Sequence, residues 1–270
     1  MASPSWLRWL DPERPHGGAA LKARLYLQAV LPTLAELWPL EAEMRAAAGE
    51  APFSIAFQTL GAARQALAFD GSRAWAWQTT EAAQLELVFL TARQAIATFE
   101  QRGALPPLPR RGFNRLGHAK RFEAAAAVMA KRLRPAPEAL TDESTAARFA
   151  HLQLGIALRG AVLLTRFEAA ANAHFTSAPH GVAVFAISGI EQPRWIDYTP
   201  GTLGTGVGDP PREPDTTITF STGQIAAASV RDEIDAMAAV NAGRIRLHGL
   251  VPLADHLNHL MEHVSDYLPR

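Results

Sequence analysis

The sequence predicts an α+β fold: two tandem copies of a mainly antiparallel sheet, each covered by helices on one face. Three observations predict it. Leu87-Val-Phe-Leu-Thr91 and the Ala-rich stretch after it recur as Ile218-Thr-Phe-Ser-Thr222 and a second Ala-rich stretch, at an offset of 131 residues. Phe57 to Gly61 recurs as Phe185 to Gly189 at an offset of 128. Segments of period two and segments of helical period also follow one another in the same order in both halves.

The elements can be read in chain order. Leu21, Leu25, Leu27, Val30, Leu31, Leu34, Leu37 and Trp38 recur at helical spacing, and Pro32 is expected to kink that helix. Phe53, Ile55 and Phe57 alternate as a strand does, as do Leu67 and Phe69. Asp70-Gly71 is a turn signal ahead of Trp75 and Trp77, so a three-strand meander is expected. Leu85, Leu87 and Phe89 form the next strand, followed by a helix from about Ala92 to Gln101 that Pro106, Pro107 and Pro109 close. After Gly112 the pattern predicts a short strand over Phe113 to Leu116. At the 131-residue offset, Gly112, Arg115 and Leu116 fall on Gly243, Arg246 and Leu247. An Ala-rich helix from Lys120 to Leu133 completes the first copy.

Arg134 to Ser144, with two prolines and an Asp/Ser-rich end, reads as a linker. The boundaries are therefore an N-terminal tail over 1–20, a first copy over 21–134, a linker over 135–144 and a second copy over 145–270. The second copy opens with a helix bearing Phe149, Leu152, Ile156, Leu163 and Phe167. Strands are expected at Val182 to Ile187, Trp195 to Tyr198, Ile218 to Phe220 and Ile245 to Leu247, with a terminal helical segment after them.

Composition bounds the function. The chain has 270 residues, 48% hydrophobic and 19% charged, without the run of about 18 apolar residues that a membrane span needs. Its 26 Lys+Arg balance 26 Asp+Glu, which argues against a general nucleic-acid binder. With no cysteine there is no disulfide, thiolate nucleophile or Cys-ligated zinc. The N-terminal segment is too short in its apolar part and too lightly basic for a signal peptide, so a cytoplasmic location is expected. Trp6, Leu7, Trp9 and Leu10 form an apolar face for a transient membrane contact or for the neighbouring domain.

Trp195-Ile-Asp197, the glycine-rich turn Gly204-Thr-Gly-Val-Gly208, Pro214-Asp-Thr-Thr-Ile-Thr-Phe220, and Gly243-Arg-Ile-Arg-Leu-His-Gly249 followed by Leu250 to Leu260 carry a resemblance. Together they make the second half similar to the sterol carrier protein type 2-like lipid-binding family. The first half looks like a diverged copy: Leu67-Ala-Phe-Asp-Gly71 stands where the Trp-x-Asp and Gly-x-Gly pieces would be. The resemblance implies a sheet covered on one face by helices, an apolar tunnel for sterols, fatty acyl chains or isoprenoids, and no shared catalytic residue. Relatives act as carriers beside ubiquinone biosynthesis.

On that reading the second half has the roomier cavity, lined by Phe185, Trp195, Ile218, Phe220, Leu250, Leu253, Leu257 and Leu260, while Trp75 and Trp77 fill the first. No cofactor is expected. His259 and His263 lie four apart on the terminal helix, beside His256, but no third ligand is fixed by spacing, so no metal is expected. Gly204 to Gly208 is no phosphate loop, because Asp209-Pro-Pro211 and a strand follow where a helix should open. Ser188, Ser221, Asp197, His174, His180 and His248 carry no local catalytic signature. The first reading is a non-enzymatic binder of a hydrophobic small molecule, with transfer of that molecule as its extension. An enzyme on a lipid-like or terpenoid substrate, with His248 as acid or base, and a ligand-free accessory scaffold are the alternatives. A partner enzyme or a second copy of the chain stays open.

Overall fold

The computed structural model describes residues 18–49, 51–60, 63–79 and 82–268. Gly61 and the N-terminal Trp6, Leu7, Trp9 and Leu10 lie outside the described residues.

The first half begins with α1 (Gly18–Leu25), a π-helical turn (Tyr26–Val30), α2 (Thr33–Leu37) and α3 (Ala42–Ala48). Pro32 explains the interruption. It offers no N–H and its ring crowds the carbonyl four residues back, and just before it the ladder widens, with Leu31 N donating to Tyr26 O at 3.0 Å. Then come β1 (Phe53–Thr59), β2 (Ala63–Asp70), β3 (Arg73–Trp77), β4 (Leu85–Phe89), α4 (Ala92–Phe99), β5 (Leu108–Arg111) and α5 (Gly117–Leu133). The second half comprises α6 (Glu143–Phe167), α7 (Ala169–Phe175), β6 (Gly181–Ile187), β7 (Arg194–Tyr198), β8 (Gly204–Val207), β9 (Thr216–Phe220), α8 (Gly223–Val230), α9 (Ala236–Asn241), β10 (Ile245–Gly249) and α10 (Val251–Tyr267).

Each half holds one five-stranded sheet, ordered β3-β2-β1-β4-β5 and, from the corresponding edge, β8-β7-β6-β9-β10. In both, the first strand pairs in parallel with the fourth and the other pairings are antiparallel. The register agrees as well: Phe57 faces Leu87, and Phe185 faces Ile218. Thr91 and Thr222 cap α4 and α8, each accepting from the N–H three residues on at 3.1 Å. Leu87–Phe89 and Ile218–Phe220 therefore occupy equivalent strands of a duplicated fold.

The offset is not constant to the end, and this corrects the equivalences read from the sequence. Gly112 has φ 78° and Gly249 has φ 96°. A β-carbon on either would run into the carbonyl oxygen of Gln84 or of Asp215, residues that match at the 131-residue offset. Gly112 is thus the counterpart of Gly249, at an offset of 137, and not of Gly243. The added residues lie where the second half builds α9. Arg115 and Leu116 follow β5, whereas Arg246 and Leu247 lie within β10. The predicted strand at Phe113 to Leu116 is a 3₁₀ turn over Phe113–Arg115, and the strand is the proline-bearing Leu108–Arg111. Pro109 is tolerated there because β5 is an edge.

The glycine-rich Gly204–Val207 is likewise an edge strand and not a turn alone. Gly206 faces Trp195, and a β-carbon on it would strike the indole. The first half makes the reverse choice, with Ala66 on β2 facing Trp77 on β3.

The helical layers meet back to back, with α6 packed on the α1 segment. Leu21, Leu25 and Ala29 belong to the core of the second half, and Leu152 of α6 to that of the first. A buried charge cluster joins them. Glu36 of α2 takes Arg194 Nη2 of β7 at 2.6 Å and also pairs with Arg159 Nη1 of α6. Arg159 further donates to Ala29 O and Thr33 Oγ1, each at 2.8 Å. Gly155 makes room, since a β-carbon there would meet the Arg194 guanidinium. Burial alone would raise the Glu36 carboxyl, but the two guanidiniums outweigh it and hold it down to about 2. Burial and Arg194 push His151 beside them down to about 4.

Candidate functional site

The site follows from strand alternation in the second sheet. Phe185, Ile218 and Phe220 point to the helical side, in line with Ala183, Ile187, Ile196 and Tyr198. The apolar stripe of α10, Leu253, Leu257, Leu260 and Val264, closes over them at helical spacing. All of these belong to one continuous core. The layer is tight: Leu253 and Leu257 are 0% exposed.

Two of the expected lining residues lie elsewhere. Trp195 is on the outer face of the sheet, over Gly206, because it is one residue out of phase with Arg194, Ile196 and Tyr198. Leu250 precedes α10 and is 40% exposed, its N–H bound to Asp215 O at 2.8 Å. Trp75 and Trp77 also stand on an outer face, opposite Ala68 and Ala66, and so fill no interior of the first half. The surface clefts among the described residues include two that are open. One of 370 Å³ is lined by Ala82, Gln84, Arg111, Gly112 and Asn114 among others. The other, of 280 Å³, lies between Thr165, Arg166, Asn172, Phe175, Gly201 and Leu203.

Polar contacts fix α10 along one edge of its buried stripe. His256 Nε2 meets the hydroxyl of Tyr198 at 3.0 Å. Burial, then nearby His174 and His259, lowers the pKa of His256, so the neutral ring accepts from the phenol, whose own pKa burial raises. Two turns on, His263 Nε2 lies 3.0 Å from Glu168 Oε2, and the Tyr267 hydroxyl donates to Glu168 Oε1 at 2.9 Å. The hydrogen bond to Glu168 raises the pKa of His263 against the effect of burial. Burial would raise Glu168, but the bonds from His263 and Tyr267 prevail and lower it.

Sequence reasoning paired His259 with His263. In the structure His259 is exposed, beside Glu262 at 3.3 Å, and the inward-facing pair is His256 and His263. Among the described residues no three His, Cys, Asp or Glu side chains gather as metal ligands would. His248 lies with Thr217 on the outer face of the sheet and is exposed, which removes it from the interior. Asp197 shares the outer face with Trp195, and its carboxylate lies 3.6 Å from Arg212. Tyr198, Glu168 and Tyr267 were missed. Only the phase of Tyr198 with Ile196 could have marked any of them.

No described helix is long and apolar enough to cross a membrane. No family model matches the chain, nor does any curated protein. Several solved structures are similar. The sterol carrier protein domain 2 of Helicoverpa armigera is 15% identical over 44% of this chain and 92% of its own, with a TM-score of 0.33. Palmitated SCP2L2 of Aedes aegypti is 22% identical over 38% and 93%, with a TM-score of 0.27. A UbiJ-SCP2 ubiquinone synthesis protein is 16% identical over 38% and 85%, with a TM-score of 0.29. The fold is α+β with two like mixed sheets, similar over part of its length to sterol carrier protein type 2 domains.

Proposed function

We propose that the second half holds a hydrophobic small molecule between its sheet and α10. The observation that carries this reading is that α10 lays Leu253, Leu257 and Leu260 over the apolar face of Phe185, Ile218 and Phe220, beside the cover that α6 and α8 give the same sheet. α10 meets the sheet through side chains and takes no part in a strand pairing, so it can move off without breaking the sheet. The resemblance borne by Trp195–Asp197 and Gly243–Gly249 supplies the ligand class: a sterol, a fatty acyl chain or an isoprenoid. Burying about 300 Å² of hydrocarbon contributes about 7 kcal/mol at ~25 cal/mol per Å². That gain must exceed the loss of the α10 contacts and of the His256–Tyr198 and His263–Glu168 bonds. No side chain at this layer is assigned a chemical step, and the protein acts by binding.

A second reading is favoured by the filled interior. Two apolar layers that satisfy each other need no ligand, and the tandem units would then serve assembly alone. Titration of the full-length protein with a fluorescent fatty acid and a fluorescent sterol separates the two. Binding predicts saturable uptake near one molecule per chain, displaced by an unlabelled lipid. Absence of saturable uptake for both probes would leave the scaffold.

A further inference from the structure

We propose that the β5 edge of the first sheet docks the protein onto an anionic lipid bilayer. Between residues 101 and 121 the chain carries Arg102, Arg110, Arg111, Arg115, Lys120 and Arg121 and no Asp or Glu, within a protein whose net charge is zero. Two of these cations are engaged internally: Arg102 pairs with Glu100, and Arg121 caps the carbonyls of Ala48, Gly49 and Ala51. Arg110, Arg111 and Arg115 are exposed, and among the described residues none of them forms an ion pair. Arg110 binds only the neutral Gln58 amide oxygen, at 3.0 Å, and the nearby Glu86 is taken by Arg64 at 3.2 Å.

Apolar side chains interleave with these cations. Leu105, Leu108, Phe113 and Leu116 are between 49% and 79% exposed. Leu108 stands opposite Val88 on the outer face of the sheet, and exposed Leu90 and Leu60 follow β4 beside it and β1 one strand further in. A soluble surface scatters large apolar groups singly, whereas several on one short basic segment mark a contact. Guanidiniums at headgroup depth with Leu and Phe between them are the chemistry of an interface with anionic lipid. A purely polar polyanion would leave the apolar set unused.

The duplication shows that the three-arginine cluster belongs to one copy, the β10 edge carrying Arg244 and Arg246 instead. At the 137-residue offset that equates Gly112 with Gly249, the positions of Arg110, Arg111 and Arg115 hold Leu247, His248 and Pro252. The fold itself therefore does not require those arginines. The inference is independent of whether the second half holds a ligand.

The test is co-sedimentation of the full-length protein with vesicles of phosphatidylcholine alone and of phosphatidylcholine and phosphatidylglycerol in equal parts. Binding is expected only to the second, weakening as salt rises. Replacing Arg110→Gln, Arg111→Gln and Arg115→Gln together should weaken it on the order of a hundredfold, at about fivefold for each cation. Leu108→Ser with Phe113→Ser should weaken it at unchanged charge, and both variants should keep the parent's melting temperature because the side chains are exposed. No binding to anionic vesicles would overturn the proposal. So would binding that both variants retain, as it would if Trp6 and Trp9 were the anchor. Heparin binding that exceeds vesicle binding and ignores Leu108 and Phe113 would overturn it in favour of a general polyanion surface.

Discussion

At the scale of single residues, Glu36 is the group on which most depends. It neutralises Arg159 and Arg194 where the halves meet, and Arg194 is only 2% exposed. Glu36→Gln leaves two guanidiniums facing each other with no counter-charge, a change that costs about 3 kcal/mol, read by urea unfolding at pH 7. The pH dependence follows from the depressed pKa. The carboxylate contributes its stability above its ordinary value of 4.5, and that contribution is lost as pH falls from there towards about 2. The difference between parent and variant should therefore shrink through that window. A variant within about 0.5 kcal/mol of the parent at pH 7 would show that the cluster is solvated and does not join the halves. None of this was legible in the sequence. Glu36, Arg159 and Arg194 are distant in the chain, and nothing in their local pattern separates them from solvated surface charges.

At the scale of elements, α10 is the moving part that the binding account requires. Gly160 of α6 lies against it, and a β-carbon at Gly160 would stand 3.3 Å from that of Val264. This is close to the separation that a disulfide spans, about 3.5–4.5 Å, and the chain has no other cysteine to interfere. Gly160→Cys with Val264→Cys should form a bond that holds α10 closed. Lipid uptake is then expected to fall at least tenfold in the oxidised protein and to return on reduction. Equal uptake in both forms would mean that the ligand enters elsewhere. The strands β1, β4 and β9 could be read from the sequence because half-buried sheets impose alternation, and β6 because a continuous apolar run marks a strand buried on both faces. Those that broke these patterns could not: β5 carries Pro109, and β8 has glycine at both positions of one face, where the Trp195 indole lies against Gly206. The inner residues Phe185, Ile218, Phe220, Leu253, Leu257 and Leu260 were legible by phase. The Tyr198–His256 contact was not, since it arises only when α10 crosses the end of β7.

At the scale of the whole molecule, the duplication sets two copies of one fold side by side. Strand order, parallel pair, register and threonine caps are common to both. What differs is the helical cover and the surface: a broken helix with a π turn against the unbroken α6, and a β5 edge with Arg110, Arg111 and Arg115 against a β10 edge with Arg246 and His248. Since Leu21, Leu25 and Leu152 each sit in the other half's core, the copies form one body, and on the proposed reading one half would present the other's apolar layer to a surface. The most direct measurement of the central claim is native mass spectrometry of the full-length protein as purified. The account predicts a population heavier than the chain by one lipid, which organic extraction identifies as an acyl, sterol or isoprenoid compound and which added fatty acid restores after stripping. A single unliganded mass that stays unchanged in the presence of excess fatty acid and sterol would contradict it.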